Sequence, residues 1–225
     1  MTRLRALVAG LAVALLASPA AAQDPQQLQL TGTGSITWDW PGAGAGRVGP
    51  YQARILSEPG QPTIDVYCVD FQHTISSGQV WNATFSNVMG DLSNTRAGAV
   101  FGETTARTMY QQAAWLTTQY DGSRERTIAI QSAIWNIFNG SSPDYGYASG
   151  LWQWKASQYY ASSGLDYSQF SVVTDVGFRN GGTQEFLTPY TPLTVTPEPG
   201  TYLLMASGLA GLGIFARRRR RQSQG

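Results

Sequence analysis

Between residues 23 and 195 the apolar positions change period twice. Ser35–Trp40 alternates Ile36, Trp38 and Trp40 with Ser35, Thr37 and Asp39, the two-residue repeat of a strand with one buried face. Gln23–Gly34, before it, is polar and predicted to be extended, and Tyr51–Ser57 is a further strand. Thr63–Phe71 (TIDVYCVDF) is β-branched and aromatic, with Ile64, Val66 and Cys68 on one face and Asp65, Tyr67, Val69 and Phe71 on the other. Gly78–Val88 is the predicted partner of that strand. Pro41–Pro50 is rich in glycine and reads as a flexible hairpin connection; it lacks the strand–loop–helix setting that would make it a phosphate loop.

From Thr104 the period becomes helical, with Met109, Ala113, Leu116 and Tyr120 on one stripe, and Asp121-Gly122 ends the element. Ser123 stands at the cap of a second helix that runs to Asn139. That helix carries Ile130, Ile134 and Ile137 on one stripe and Gln131, Trp135 and Phe138 on an adjoining one. A loop at Gly140–Gly146 leads to a third, shorter helix at Leu151–Tyr160, and Phe170–Phe178 and Glu185–Val195 return to strand character. This order predicts an α+β fold: an antiparallel β-rich domain, sandwich or barrel-like, with a helical insertion at about 104–160.

The two ends do not belong to that domain. Met1–Ala22 has Arg3 and Arg5, an apolar stretch at Ala6–Ala17 and small residues at Ala20-Ala21-Ala22, the layout of a signal peptide cleaved before Gln23 after passage through the Sec translocon. At the other end, Thr196-Pro197-Glu198-Pro199-Gly200 cannot join a regular ladder, because its two prolines fix φ and remove donors. The uncharged run Thr201–Ala216 follows, and then Arg217, Arg218, Arg219, Arg220 and Arg221. The run is slightly shorter than the ~20 residues of a membrane-spanning helix. Arginines lengthen the effective span by snorkelling, and five of them mark a cytoplasmic flank.

The sequence of motif, apolar run and arginine cluster over Thr196–Arg221 resembles the PEP-CTERM sorting signal of Gram-negative bacteria. The resemblance implies recognition by an exosortase at Pro197-Glu198-Pro199 and a transient inner-membrane anchor. It further implies cutting near the motif and delivery to the cell surface or extracellular matrix, often together with exopolysaccharide. The mature domain is then 23–195 and the sorting signal 196–225, with its transmembrane segment at 201–216.

Removing the targeting ends reverses the charge. The whole chain is +1; without seven of its arginines (3, 5 and 217–221) and without Glu198, the mature part is −5. It has no internal basic block, which argues against a nucleic-acid partner. All seven tryptophans lie in the mature domain, some for the core and some available for a sugar or partner surface.

Cys68 is the only cysteine, whereas exported proteins ordinarily use cysteines in pairs. It is a buried core residue, a half of an intermolecular disulfide, or a residue kept for chemistry. Tyr67-Cys68-Val69-Asp70 on the strand and Ile130-Gln131-Ser132-Ala133-Ile134-Trp135 on the helix resemble the two motifs of the thioester domains of bacterial surface adhesins, in the same order. The resemblance covers Thr63–Phe138 and departs from the family at Ile130, where threonine is frequent.

It implies an internal thioester between the Cys68 sulfur and the Gln131 side-chain carbonyl carbon, opened once by a surface amine or hydroxyl. This would be covalent attachment without turnover, so not an enzyme. His73, the only histidine, is a candidate base for that chemistry or an ordinary loop residue. One Cys and one His cannot furnish a usual zinc site, no G-x-S-x-G elbow is present, and no cofactor or metal is assigned. The leading expectation is therefore adhesion or attachment to a biofilm or exopolysaccharide matrix, covalent through Cys68 and Gln131. The alternatives are a non-covalent structural or glycan-binding matrix module and, least favoured, a polysaccharide hydrolase.

Overall fold

The computed structural model describes residues 25–40, 44–140 and 147–192. The signal peptide at 1–22, Pro197-Glu198-Pro199, the apolar run at 201–216 and the arginine cluster fall outside these residues. Among the described residues no helix is long and apolar enough to cross a membrane.

Six strands close into an antiparallel barrel: β1 (Gln26–Gly32), β4 (Tyr51–Ile55), β5 (Thr63–Cys68), β6 (Val80–Asn87), β7 (Ser171–Asp175) and β8 (Phe186–Thr188). The order around the barrel is β1-β4-β5-β8-β7-β6, with β6 returning to β1. Strict alternation fills its interior. Leu28, Leu30, Ala53, Ile55, Val66, Cys68 and Ala83 have no exposed surface and pack with Tyr51, Trp81, Phe85 and Phe186. Alanines beside aromatics let so small a barrel be filled by side chains.

β7 and β8 are buried on both faces, because the barrel lies on one side of them and the helices on the other. Val173 and Phe186 join the barrel core, whereas Val172 and Leu187 join a second core under the helices. Such strands read as continuous apolar runs rather than alternations.

The helical layer is inserted between β6 and β7: α1 (Arg96–Phe101), α2 (Glu103–Thr117), α3 (Arg124–Asn139) and α4 (Tyr147–Tyr159). α3 lies at the seam of the two cores. Ile130, Ala133 and Ile134 belong to the core under the helices, while Ile128 and Trp135 belong to the barrel core. The antiparallel α+β architecture with a helical insertion is thus the one the residue periods indicate, and its β part is a barrel.

Several local expectations are corrected. Pro41–Pro50 is not merely a connection: Gly44–Val48 is strand β3, paired with β2 (Ile36–Trp40) in a separate two-stranded hairpin. The hairpin leans on the start of α3, where the Arg124 guanidinium lies 5.7 Å from the centre of the Trp38 ring and donates to the Thr37 carbonyl at 3.1 Å. Beside it, the backbone approach at Gly34 is so close that a Cβ would stand 2.1 Å from the Val48 carbonyl oxygen.

β6 does not pair with β5; its neighbours are β1 and β7, and β5 lies between β4 and β8. Helix α1, which no apolar period announces, is held by the Thr95 cap, whose hydroxyl oxygen accepts from the Gly98 N–H. Ser123 occupies the cap position of α3, but its hydroxyl bonds Asp121 and makes no cap bond.

Candidate functional site

The last residue of β5 meets the middle of α3. Cys68 is fully buried at the end of its strand, where Phe186 of β8 pairs with it. On α3, Gln131 and Trp135 are one turn apart and therefore share a face. Gln131 has no exposed surface, and its Nε2 donates to the Cys68 backbone carbonyl at 2.7 Å. The Trp135 indole N–H donates to Cys68 Sγ at 3.3 Å, and the Cys68 thiol donates to the Asp70 carbonyl at 3.1 Å. The two residues singled out in sequence, 63 positions apart, are thus in direct hydrogen-bond contact.

Two aromatic residues complete the surroundings. The Tyr120 hydroxyl, just beyond α2, donates to Gln131 Oε1 at 3.2 Å. The amide orientation is fixed by this pair of bonds, since the reverse would set the amide oxygen against the Cys68 carbonyl. The Tyr120 ring stacks on Tyr67 with centroids 5.6 Å apart, and Phe71 packs on Trp135 at 4.9 Å. Burial pushes the Tyr120 hydroxyl well above the ordinary phenol range, so it stays a donor at neutral pH.

Burial also raises the Cys68 thiol to about 12; the Trp135 bond opposes this, and the Asp70 charge adds to it. In its thiol form the domain therefore has a defined alkaline response. The folded thiol titrates near 12 and the unfolded one near 9.0, so stability is full below pH 9 and is lost as pH rises through that interval. The interval corresponds to about 4 kcal/mol. Denaturant melts of the thiol form at pH 8 and pH 11 should show a larger loss in the wild type than in Cys68→Ala, where only the buried tyrosines contribute. An equal response in both proteins would mean that Cys68 is not enclosed.

His73 is placed elsewhere. Its Nδ1 faces Asp70 Oδ2 at 2.7 Å and its Nε2 faces Arg96 Nη1 at 3.4 Å, so neither ring nitrogen bonds Cys68 or Gln131. Asp70 is the hub of this second cluster. Its Oδ1 accepts from the N–H groups of Gln72 and His73, and its Oδ2 also pairs with Arg96 Nε at 3.1 Å. Arg96 spans several loops, donating to the carbonyls of Phe178, Gly181 and Thr183.

Behind Arg96, buried Glu185 accepts from the Arg96 backbone N–H at 2.8 Å, from Tyr110 and from Thr174, and burial raises its carboxyl above the usual range. These groups border a cleft of about 290 Å³ whose apolar wall includes Phe101 and Phe138. Asp70 links the cleft to the sulfur, through the carbonyl that receives the Cys68 thiol. Among the described residues no cluster of three or more His, Cys, Asp or Glu is arranged to hold a metal.

Sequence reasoning missed Tyr120 as a contact of Gln131, having placed it only on an apolar stripe. The available signal was its position immediately before the Asp121-Gly122 turn, which returns α3 alongside α2.

Comparison with known proteins bears on the tail. Residues 195–221 match the PEP-CTERM protein-sorting motif. The motif implies export, processing by an exosortase and delivery to the cell envelope or surface. No curated protein and no solved structure matches the chain.

Proposed function

We propose that the mature domain is a single-use covalent anchor, built on a thioester between Cys68 and Gln131. The observation that carries this reading is the clamp at the seam. A fully buried carboxamide is held by the backbone carbonyl of the very cysteine whose sulfur would attack it, at 2.7 Å. A carboxamide attacked by a thiol needs near-attack geometry, which makes the step effectively unimolecular. The S–C bond forms, the C–N bond breaks, and the thiol proton leaves with the amide nitrogen as ammonia. Trp135, backed by Phe71, stands at the fully buried sulfur and would limit access of water to the product. A surface amine or hydroxyl later attacks the carbonyl carbon, joins to Gln131 and returns the thiol.

In this reading the protein adheres to a surface or to a polysaccharide matrix. It reaches that place from a Gram-negative inner membrane, anchored transiently by Thr201–Ala216 with Arg217–Arg221 on the cytoplasmic side. Intact mass spectrometry of freshly purified mature domain tests the bond. The expected mass is one ammonia below the sequence value, restored to the full value in Cys68→Ala once the substitution is counted. Methylamine should add at Gln131 and release the thiol. A full-mass protein that takes up no methylamine would eliminate the covalent reading.

A second reading is favoured by α4, where Trp154 and Tyr159 are 54% and 48% exposed. Their rings lie 6.3 Å apart, and Lys155 sits over the neighbouring Trp152 ring at 4.4 Å. Exposed aromatic faces of this kind suit non-covalent glycan stacking. Retention on the host's exopolysaccharide, lost in the double variant Trp154→Ala/Tyr159→Ala, would support it; retention unchanged in that variant would end it.

A further inference from the structure

We propose that Tyr120 is a catalytic hydrogen-bond donor for acyl transfer at Gln131, acting as the oxyanion partner both when the thioester forms and when it opens. The inference rests on the thioester reading above and identifies the group that would make the bond kinetically accessible.

Among the described residues, the side-chain donor to the reacting carbonyl is Tyr120. The Tyr120 hydroxyl reaches Gln131 Oε1 at 3.2 Å, while the amide nitrogen of the same group is held by the Cys68 carbonyl at 2.7 Å. Attack by sulfur on the carbonyl carbon moves a pair of electrons onto Oε1. A tetrahedral oxyanion formed in a buried, low-dielectric site is costly without a donor aimed at it. Tyr120 already points there in the ground state, and the bond to it strengthens as charge develops.

The donor is also rigidly mounted. Its ring stacks on Tyr67, which directly precedes Cys68, at 5.6 Å and an interplanar angle of 27°. Nucleophile and oxyanion donor are thereby fixed to the same two residues of β5. This gives the aromatic residue before Cys68 a positioning role.

The opposite end of the reacting group has its own donor. Trp135 Nε1 lies 3.3 Å from Cys68 Sγ, where negative charge gathers when an incoming nucleophile expels the sulfur. In the opening step the nucleophile's lone pair forms a bond to the carbonyl carbon, the carbonyl π pair passes to Oε1 and back, and the C–S bond breaks with its pair leaving on sulfur. The nucleophile's proton then returns with the sulfur as the thiol. By microscopic reversibility the nucleophile enters where ammonia left, with its N–H or O–H turned to the Cys68 carbonyl. Tyr120 thus serves the oxyanion of the tetrahedral intermediate and Trp135 the sulfur as that intermediate collapses, and neither changes its own covalent state.

The test compares wild type with Tyr120→Phe, which retains the stack on Tyr67 and removes only the hydroxyl. Loss of one oxyanion donor reduces such rates by about 10²–10³-fold. Thioester content read by intact mass should be reduced, and the methylamine opening rate of whatever thioester is present should fall by that factor. Circular dichroism and thermal melting should show an unchanged fold. A Tyr120→Phe domain that carries full thioester and opens at the wild-type rate would overturn the proposal.

Should that variant not fold, Tyr67→Ala keeps the hydroxyl but removes its support; a slower opening is expected, and an unchanged rate overturns the proposal equally. A wild-type domain of full mass would remove the thioester itself, and the inference with it. That outcome is distinct from a wild-type thioester indifferent to Tyr120.

Discussion

Replacing Arg96 by alanine is expected to destabilise the domain by about 3–5 kcal/mol, the usual loss when one partner of a buried ion pair is removed. The Arg96 and Asp70 side chains are only 17% and 7% exposed. Without the guanidinium, Asp70 loses its cationic partner, and the carbonyls of Phe178, Gly181 and Thr183 lose their donor. The effect is larger than for a surface pair because Asp70 is nearly buried and the Arg96 side chain largely so.

For a domain of this size the change corresponds to a fall of roughly 6–20 °C in thermal midpoint. Arg96→Lys should recover only part of it, since an ammonium supplies the charge but not the planar fork that serves four acceptors at once. Differential scanning calorimetry of the three proteins decides the matter. A loss below 1 kcal/mol in Arg96→Ala would show that the cluster is open to solvent.

Truncating Trp135 to alanine should be comparably severe, about 3–5 kcal/mol, through loss of a buried aromatic and the cavity it leaves. The indole is 2% exposed, packs on Phe71 and bonds Cys68 Sγ. Its removal uncovers the sulfur as well as weakening the core. The native variant should therefore react with iodoacetamide under conditions where the wild-type thiol form does not; if Cys68 instead carries a thioester, that bond should hydrolyse faster. Trp135→Phe should retain most of the stability while losing the N–H donor, which separates packing from the contact to sulfur. Alkylation kinetics equal to wild type in Trp135→Ala would show that another group shields Cys68.

Much of this arrangement was legible along the chain because it is local. Ile64, Val66 and Cys68 alternate on β5, and Leu28 and Leu30 behave likewise on β1, which suffices to mark one face as core. The adjoining stripes of α3 hold in part: Ile130 and Ile134 face one core, and Gln131 and Trp135 turn to Cys68, but Phe138, read with the latter pair, packs instead on Tyr110 in the core of the isoleucines. A polar Gln131 on a buried stripe was itself a sign of a specific partner, since a buried amide needs its hydrogen bonds. The proline motif, apolar run and arginines of the tail are likewise a linear signal, and they match as a sorting motif.

The remainder depends on contacts that no window of sequence contains. Apolar alternation gives a strand its face but not its neighbour, so β6 was assigned to β5 and instead closes the barrel between β1 and β7. The glycines of β3 carry no face at all, and only pairing with β2 makes them a strand. α1 is six residues held by a cap and by Arg96, with no stripe to reveal it.

His73 lies five positions from Cys68 in sequence, yet the chain turns after β5 and commits its ring to Asp70 and Arg96. Tyr120, 11 positions from Gln131, is brought to the carboxamide oxygen by the fold of α2 back along α3. Sequence by itself marked the core face of the regular strands and of α3 and singled out Cys68 and Gln131, because those faces follow short periods. Tertiary structure decided which of them meet, because hydrogen bonds act over about 3 Å and the chain brings distant residues that close only by folding.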